Sequence, residues 1–190
     1  CACLVGSEMC IRDSYLAVAF ADEGVLLRER GITMPVVVLN ADADSFDAMA
    51  ANRLEPEIYS LRSLHEFAAA VERYGEQRYP IHVKLDTGMH RLGFVEEELP
   101  ALLDALARYG RTVRVASVFA HLCTSDDPAQ DDFTRLQIAR FDRMSSRIAE
   151  ALPYPVLRHT ANSAAIERFP EAQYDMCLSL IHISEPTRHA

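Results

Sequence analysis

The chain is 190 residues long, with 49% hydrophobic residues, 25% charged residues and a formal net charge of -9. That balance suits a globular core and disfavours a polyanionic partner such as nucleic acid, and no apolar run is long enough to span a bilayer. The five cysteines show no C-x-x-C spacing, so neither a metal motif nor a disulfide framework is indicated and a reducing cytoplasm fits best.

The first element in chain order is one to set aside. Codons for residues 4–14 can be chosen so that the reverse complement encodes Leu178-Ser179-Leu180-Ile181-His182-Ile183-Ser184-Glu185-Pro186 and on towards Arg188. Two protein termini have no reason to be complementary strands, and the nucleotide string resembles a transposase-type sequencing adaptor. Residues 1–14 and 177–190 are therefore expected to be non-native, to take no part in the fold, and to flank a native segment, 15–176, that was longer at both ends. Of the cysteines only Cys123 lies in that segment.

Within 15–176 strands and helices alternate. An apolar run at 16–20 is followed by a helix opening near Asp22 and closed by Gly31, and a strand at 36–39 leads to a helix starting near Ser45. A strand at 57–59 precedes a helix for which Ser63 and Glu66 form the capping box, ending at Gly75. The strand at 81–85 is the fourth, and a helix at 97–109 ends at Gly110. Val113, Val115, Ser117 and Phe119 then alternate into His121, and Phe133, Leu136, Phe141, Met144 and Ile148 mark the inner face of a long helix. A sixth strand at 156–159 leads into a helix opened by Ala161-Asn162-Ser163-Ala164 and ended by Pro170. Repeated βα units favour a parallel sheet or barrel, but periodicity alone does not separate an open doubly wound sheet from a barrel, and the segment is shorter than the roughly 250 residues of a closed (β/α)8 barrel.

Chemistry concentrates where the fourth strand ends. Ile81, Val83 and Leu85 alternate, then Asp86-Thr87-Gly88 breaks the pattern and leaves Lys84, Asp86 and Arg91 beside one another. Standing alone, such a string is an ordinary strand exit with solvated charges. The whole run, Lys84-Leu85-Asp86-Thr87-Gly88-Met89-His90-Arg91-Leu92-Gly93-Phe94, together with His159-Thr160-Ala161-Asn162-Ser163-Ala164-Ala165 and Arg168-Phe169-Pro170, closely resembles the alanine racemases. These are pyridoxal 5'-phosphate (PLP) enzymes that interconvert L- and D-alanine.

The resemblance implies an incomplete TIM-type (β/α)8 barrel, roughly strands 2 to 7 of 8, with the eighth breaking off near Tyr174-Asp175-Met176. It implies that Arg91 reaches the substrate carboxylate, work suited to a rigid guanidinium fork. Lys84 matches a lysine that is carbamylated in some members. It places His121 against the PLP ring, His159 near the cofactor or in a supporting position, and Asn162 and Ser163 at the PLP phosphate, although Asn-Ser before a helix is by itself an N-cap pattern. No metal is implied. The two groups that move protons, the PLP-holding lysine and a tyrosine from the partner subunit of a homodimer, are expected outside this chain, so the parent protein is expected to be a cytoplasmic racemase supplying D-alanine for peptidoglycan and the fragment itself inactive. Two other readings stay open: a non-enzymatic PLP-carrier protein of the same barrel, and the racemase half of a fusion with a D-Ala-D-Ala-adding ligase. The latter is suggested by Asp44-Ser45-Phe46, Leu54-Glu55-Pro56-Glu57-Ile58-Tyr59-Ser60 and Ser125-Asp126-Asp127-Pro128.

Overall fold

The computed structural model describes residues 2–3 and 15–179. In chain order the strands are β1 (Ala2–Cys3), β2 (Leu16–Val18), β3 (Val36–Val38), β4 (Glu55–Ile58), β5 (Tyr79–Lys84), β6 (Val113–Phe119), β7 (Leu157–His159) and β8 (Leu178–Ser179). The helices are α1 (Ala21–Glu29), α2 (Phe46–Ala51), α3 (Leu61–Arg73), α4 (Leu99–Arg108), α5 (Asp131–Ala151) and α6 (Ser163–Arg168).

Strands β2 to β7 form one parallel sheet in strictly sequential order, and β1 pairs only with β8 in a separate two-stranded ladder. Sequential order decides the architecture. In a doubly wound sheet the strand order reverses at a switch point and helices cover both faces, whereas here every crossover moves the same way and places its helix on one outer face. The sheet curls into part of a TIM-type barrel, as expected. The outer layer carries the core: Val36, Val38, Ile58, Ile81, Val83, Val115 and Val118 pack against Phe46, Met49, Leu64, Phe67, Leu102, Phe141 and Met144 in one buried cluster. The opposite, inward face carries Glu55, Glu57, His82, Lys84, Ser117 and His159, all buried.

Four local expectations are corrected. The helix α3 is capped by Ser60, whose hydroxyl accepts from the Ser63 amide while Ser63 Oγ closes the box; Glu66 instead pairs with Arg62 at 2.8 Å. The single face drawn through Val113, Val115, Ser117 and Phe119 is broken, because pairing steps from Ile81↔Val115 to His82↔Ser117 and leaves Ala116 as a bulge. Beyond that bulge Ser117 and Phe119 turn inward while Val113, Val115 and Val118 face the helices. On α5, Leu136 is 45% exposed, and Thr134 and Gln137 are the buried residues of that turn. Gln137 is inside because it ties loops together, accepting from the Cys123 amide and donating to Thr87 Oγ1 and the His121 carbonyl.

The fourth correction concerns residues 2–3 and 177–179, expected to take no part in the fold: Ala2 and Cys3 pair with Leu178 and Ser179. Met176 bridges His159 in parallel and the Leu178 amide donates to the Ala161 carbonyl at 3.0 Å, along the edge where an eighth strand would lie. Backbone pairing at a sheet edge is indifferent to side chains, so β7 accepts any extended segment that reaches it. Ile181 and Ile183, and residues 4–14, lie outside the described residues.

Candidate active site

A cavity of about 670 Å³ opens at the carboxyl ends of the strands, the end of a parallel barrel where sites are built. Glu57, Lys84, Arg91, His121, His159, Thr160, Ala161 and Asn162 all line it. Five of the six residues singled out in the sequence therefore converge. Ser163 stands just beyond the lining, its hydroxyl 3.1 Å from Ser179 Oγ.

The loop 85–94 closes on itself and carries Arg91. Leu85 and Phe94 bridge in parallel, with the Asp86 amide donating to the Phe94 carbonyl and the Phe94 amide to the Lys84 carbonyl, both at 2.9 Å. The side chain of Asp86, expected beside the two cations, is hydrogen-bonded within its own loop and still attracts Lys84 electrostatically. Its Oδ1 accepts from the Gly88 and His90 amides at 2.9 and 3.0 Å and its Oδ2 lies 3.1 Å from His90 Nδ1. Burial pushes this carboxyl up, but the two amides and His90 outweigh it and hold Asp86 below the ordinary aspartate range. Gly93 has φ +128, and a Cβ there would stand 2.6 Å from the Asp86 nitrogen and the Leu85 carbonyl carbon; only glycine permits this return. Arg91 emerges exposed at the cavity mouth, with no hydrogen-bond or ion-pair partner among the described residues.

Lys84 ends β5 and points inward. Its Nζ lies 3.5 Å from both carboxylate oxygens of Glu57 on β4 and 4.5 Å from the centre of the Phe119 ring. Both partners are buried, at 7% and 1% exposure. Burial lowers the Lys84 pKa against the opposing pull of Glu57, and burial raises that of Glu57 against Lys84 and Arg91. Glu57 is the residue sequence reasoning missed. The available signal was two acids at alternate positions, Glu55 and Glu57, in a strand whose residues are all buried, which puts both on the inward face.

One layer below, the polar groups are mutually satisfied. His82 Nε2 meets Glu55 Oε2 at 2.7 Å, His82 Nδ1 meets Ser117 Oγ at 2.6 Å, and Ser117 Oγ meets His159 Nε2 at 3.2 Å. His159 stacks on Phe119, with ring centres 4.9 Å apart and planes 3° from parallel. Desolvation, with His82 and Lys84 adding repulsion, drops its pKa to about 3, so this imidazole is neutral. His121, half-buried at the end of β6, is likewise lowered by burial, Lys84 and Arg91, which leaves a neutral ring at the cavity wall.

Asn162 is the N-cap of α6. Its Oδ1 accepts from the Ala165 amide and from Ser125 Oγ, and its Nδ2 donates to the Leu122 carbonyl. Arg168 reaches the Ser125 carbonyl and Asp131, and Phe169 is buried, so these motif residues brace the turn rather than enter the cavity. Next to it, Thr160 Oγ1 is a buried hydroxyl with no hydrogen-bond partner among the described residues. An unsatisfied donor on a cavity wall, beside cations, suits an anionic occupant.

Residues 11–177 match the family described as alanine racemase, N-terminal domain. The chain belongs to that family. The alanine racemase of Symbiobacterium thermophilum is 37% identical over 173 residues, covering 89% of this chain and 44% of that protein. That of Geobacillus stearothermophilus is 38% identical over 165 residues, covering 86% and 41%. Among solved structures, the alanine racemase of Clostridium difficile 630 superposes with a TM-score of 0.81 at 29% identity, covering 90% of this chain and 44% of that one. The Bacillus anthracis alanine racemase with bound L-Ala-P gives 0.76 at 29%, covering 88% and 43%. The chain thus spans less than half the length of these racemases.

Proposed function

We propose that the protein to which this chain belongs interconverts L- and D-alanine with PLP, as a cytoplasmic homodimer supplying D-alanine for peptidoglycan, and that these residues form its cofactor cradle and carboxylate anchor. Arg91 carries the reading: a guanidinium with no hydrogen-bond or ion-pair partner among the described residues, at the mouth of a cavity, held there by a loop that closes on itself through the Leu85–Phe94 bridge. The donor set fits PLP, since the orphaned Thr160 hydroxyl and the Asn162–Ser163 turn suit a phosphate and the neutral His121 ring suits an aromatic face. Bound PLP supplies the electron sink that acidifies the α-carbon of an amino acid. Arg91 would grip the substrate carboxylate in two parallel hydrogen bonds and fix which face of the α-carbon each base meets. His121 stays neutral, so it presents a donor or acceptor without adding charge. In this reading the lysine and tyrosine that move the α-proton belong to parts of the protein outside these 190 residues, and the isolated chain is inactive.

The test is exchange of the alanine α-proton in D2O by the full-length protein loaded with PLP. Deuterium entering both enantiomers supports racemisation. PLP binding with no exchange favours the carrier-protein reading instead.

A further inference from the structure

The geometry points to Glu57 as a positioning residue of this site: its buried carboxylate keeps Lys84 an unmodified ammonium and supplies the fixed negative charge against which Arg91 is set. The inference rests on the racemase reading for the role of Arg91, but not for the state of Lys84.

Four observations support it. Glu57 and Lys84 project inward from neighbouring strands, with Ile58 opposite Val83 in the β4–β5 register, and both carboxylate oxygens approach Nζ equally at 3.5 Å. The lysine is closed in on its other side by the Phe119 ring; Asp86 adds a weaker attraction, but Glu57 is the larger influence and the one carboxylate in contact with Nζ. Glu55, the other inward acid of β4, is committed to His82 and cannot serve both. Glu57, Lys84 and Arg91 line the same cavity, in which Glu57 attracts Arg91 while Arg91 and Lys84 repel each other. Remove Glu57 and the two cations lose the carboxylate in contact with Lys84, leaving only the weaker attraction of Asp86.

The chemistry of Lys84 makes this specific. A buried lysine that loses its proton is a free amine able to attack CO2, forming an N–C bond and releasing a proton to leave a carbamate anion. Glu57 opposes this twice. It favours the protonated amine, which has no lone pair to donate, and it would stand in contact with the carbamate, where two buried anions cannot both remain ionised without a large shift. Glu57 and a Lys84 carbamate are therefore alternative sources of one negative charge.

The experiment uses the full-length, PLP-loaded protein in carbon-13-labelled bicarbonate, read by carbon-13 NMR at the carbamate carbonyl and by steady-state kinetics in CO2-depleted and bicarbonate-supplemented buffer. The wild type should show no carbamate resonance and no response to bicarbonate. Glu57→Val should raise KM for alanine about 10- to 100-fold in CO2-depleted buffer, the scale of one charge-assisted contact, with a smaller change in kcat. Bicarbonate should restore KM and produce the resonance, and Lys84→Arg in the same background should abolish both effects. If Glu57→Val shows no cooperative unfolding, the isosteric Glu57→Gln carries the same readouts. A carbamate on the wild type overturns the proposal, as does a Glu57 variant with unchanged KM, or one that loses activity with neither resonance nor rescue. If the wild type does not racemise alanine, the racemase reading fails while the NMR comparison still decides the state of Lys84.

Discussion

Two layers of polar side chains lie on the inward face of this partial barrel, and they differ in how completely they are paired. The lower layer runs Glu55, His82, Ser117, His159 as a chain of short contacts between buried groups. The upper one, around Arg91, Lys84 and Thr160, is incomplete: a guanidinium without a partner and a hydroxyl without a partner among the described residues, and an ion pair at the long distance of 3.5 Å. A barrel that tolerates buried charge must satisfy it or use it. The lower layer is the first solution and the upper one the second, so a mutation in one should damage stability and in the other turnover.

The largest loss should come from cutting the lower chain at its centre. In the full-length protein, His82→Leu strands the Glu55 carboxylate and should lower the unfolding free energy by about 3 to 5 kcal/mol, measured by urea titration. Unchanged stability would mean that this layer is not the structural one. Acid should act through the same chain. The folded pKa of His159, about 3, lies below its ordinary value of 6.5, so the unfolded chain takes up the proton first. The stabilisation is complete above pH 6.5 and is lost as pH falls towards 3, a contribution on the order of 5 kcal/mol over that window. His159→Gln should flatten the stability profile there, and an identical slope in the variant would count against a buried neutral imidazole.

A smaller effect is expected in the upper layer's support. Gly93→Ala forces a Cβ against the Leu85–Asp86 peptide at positive φ and should cost about 1 to 3 kcal/mol. It should also raise KM for alanine, because the loop that returns through Gly93 aims Arg91. Stability loss with unchanged KM would separate the loop from the site. The smallest belongs to neither layer: Ser60→Ala removes the α3 cap and should cost about 1 kcal/mol with no effect on kcat/KM.

The same contrast explains what could be read from the sequence. The loop 85–94 was legible because its demands are local: an aspartate to bind two amides, glycines where a side chain cannot fit, an arginine left over. The βα order and the Asn162 cap were legible for the same reason. The lower layer was not, since Glu55, His82, Ser117 and His159 come from four strands whose alignment depends on a bulge at Ala116 that period-two reading steps over. Gln137 and Thr134 were hidden likewise, being polar residues drawn inside by the loops that carry Thr87 and Thr124, while Leu136, expected on the inner face, is exposed. Spacing put Asp86 near the cations but did not show that its carboxylate is taken up by the Gly88 and His90 amides.

The division between the layers is tested most directly by measuring kcat/KM for alanine and unfolding free energy together in Arg91→Ala and Ser117→Ala forms of the full-length, PLP-loaded protein. Arg91→Ala should lose about 100-fold in kcat/KM, the scale of a charge-assisted hydrogen-bonded pair, with stability within about 0.5 kcal/mol of the wild type. Ser117→Ala, which leaves two buried imidazole nitrogens unmatched, should lose about 1 to 3 kcal/mol of stability and keep kcat/KM within a few-fold. An Arg91→Ala protein with full turnover would contradict the account.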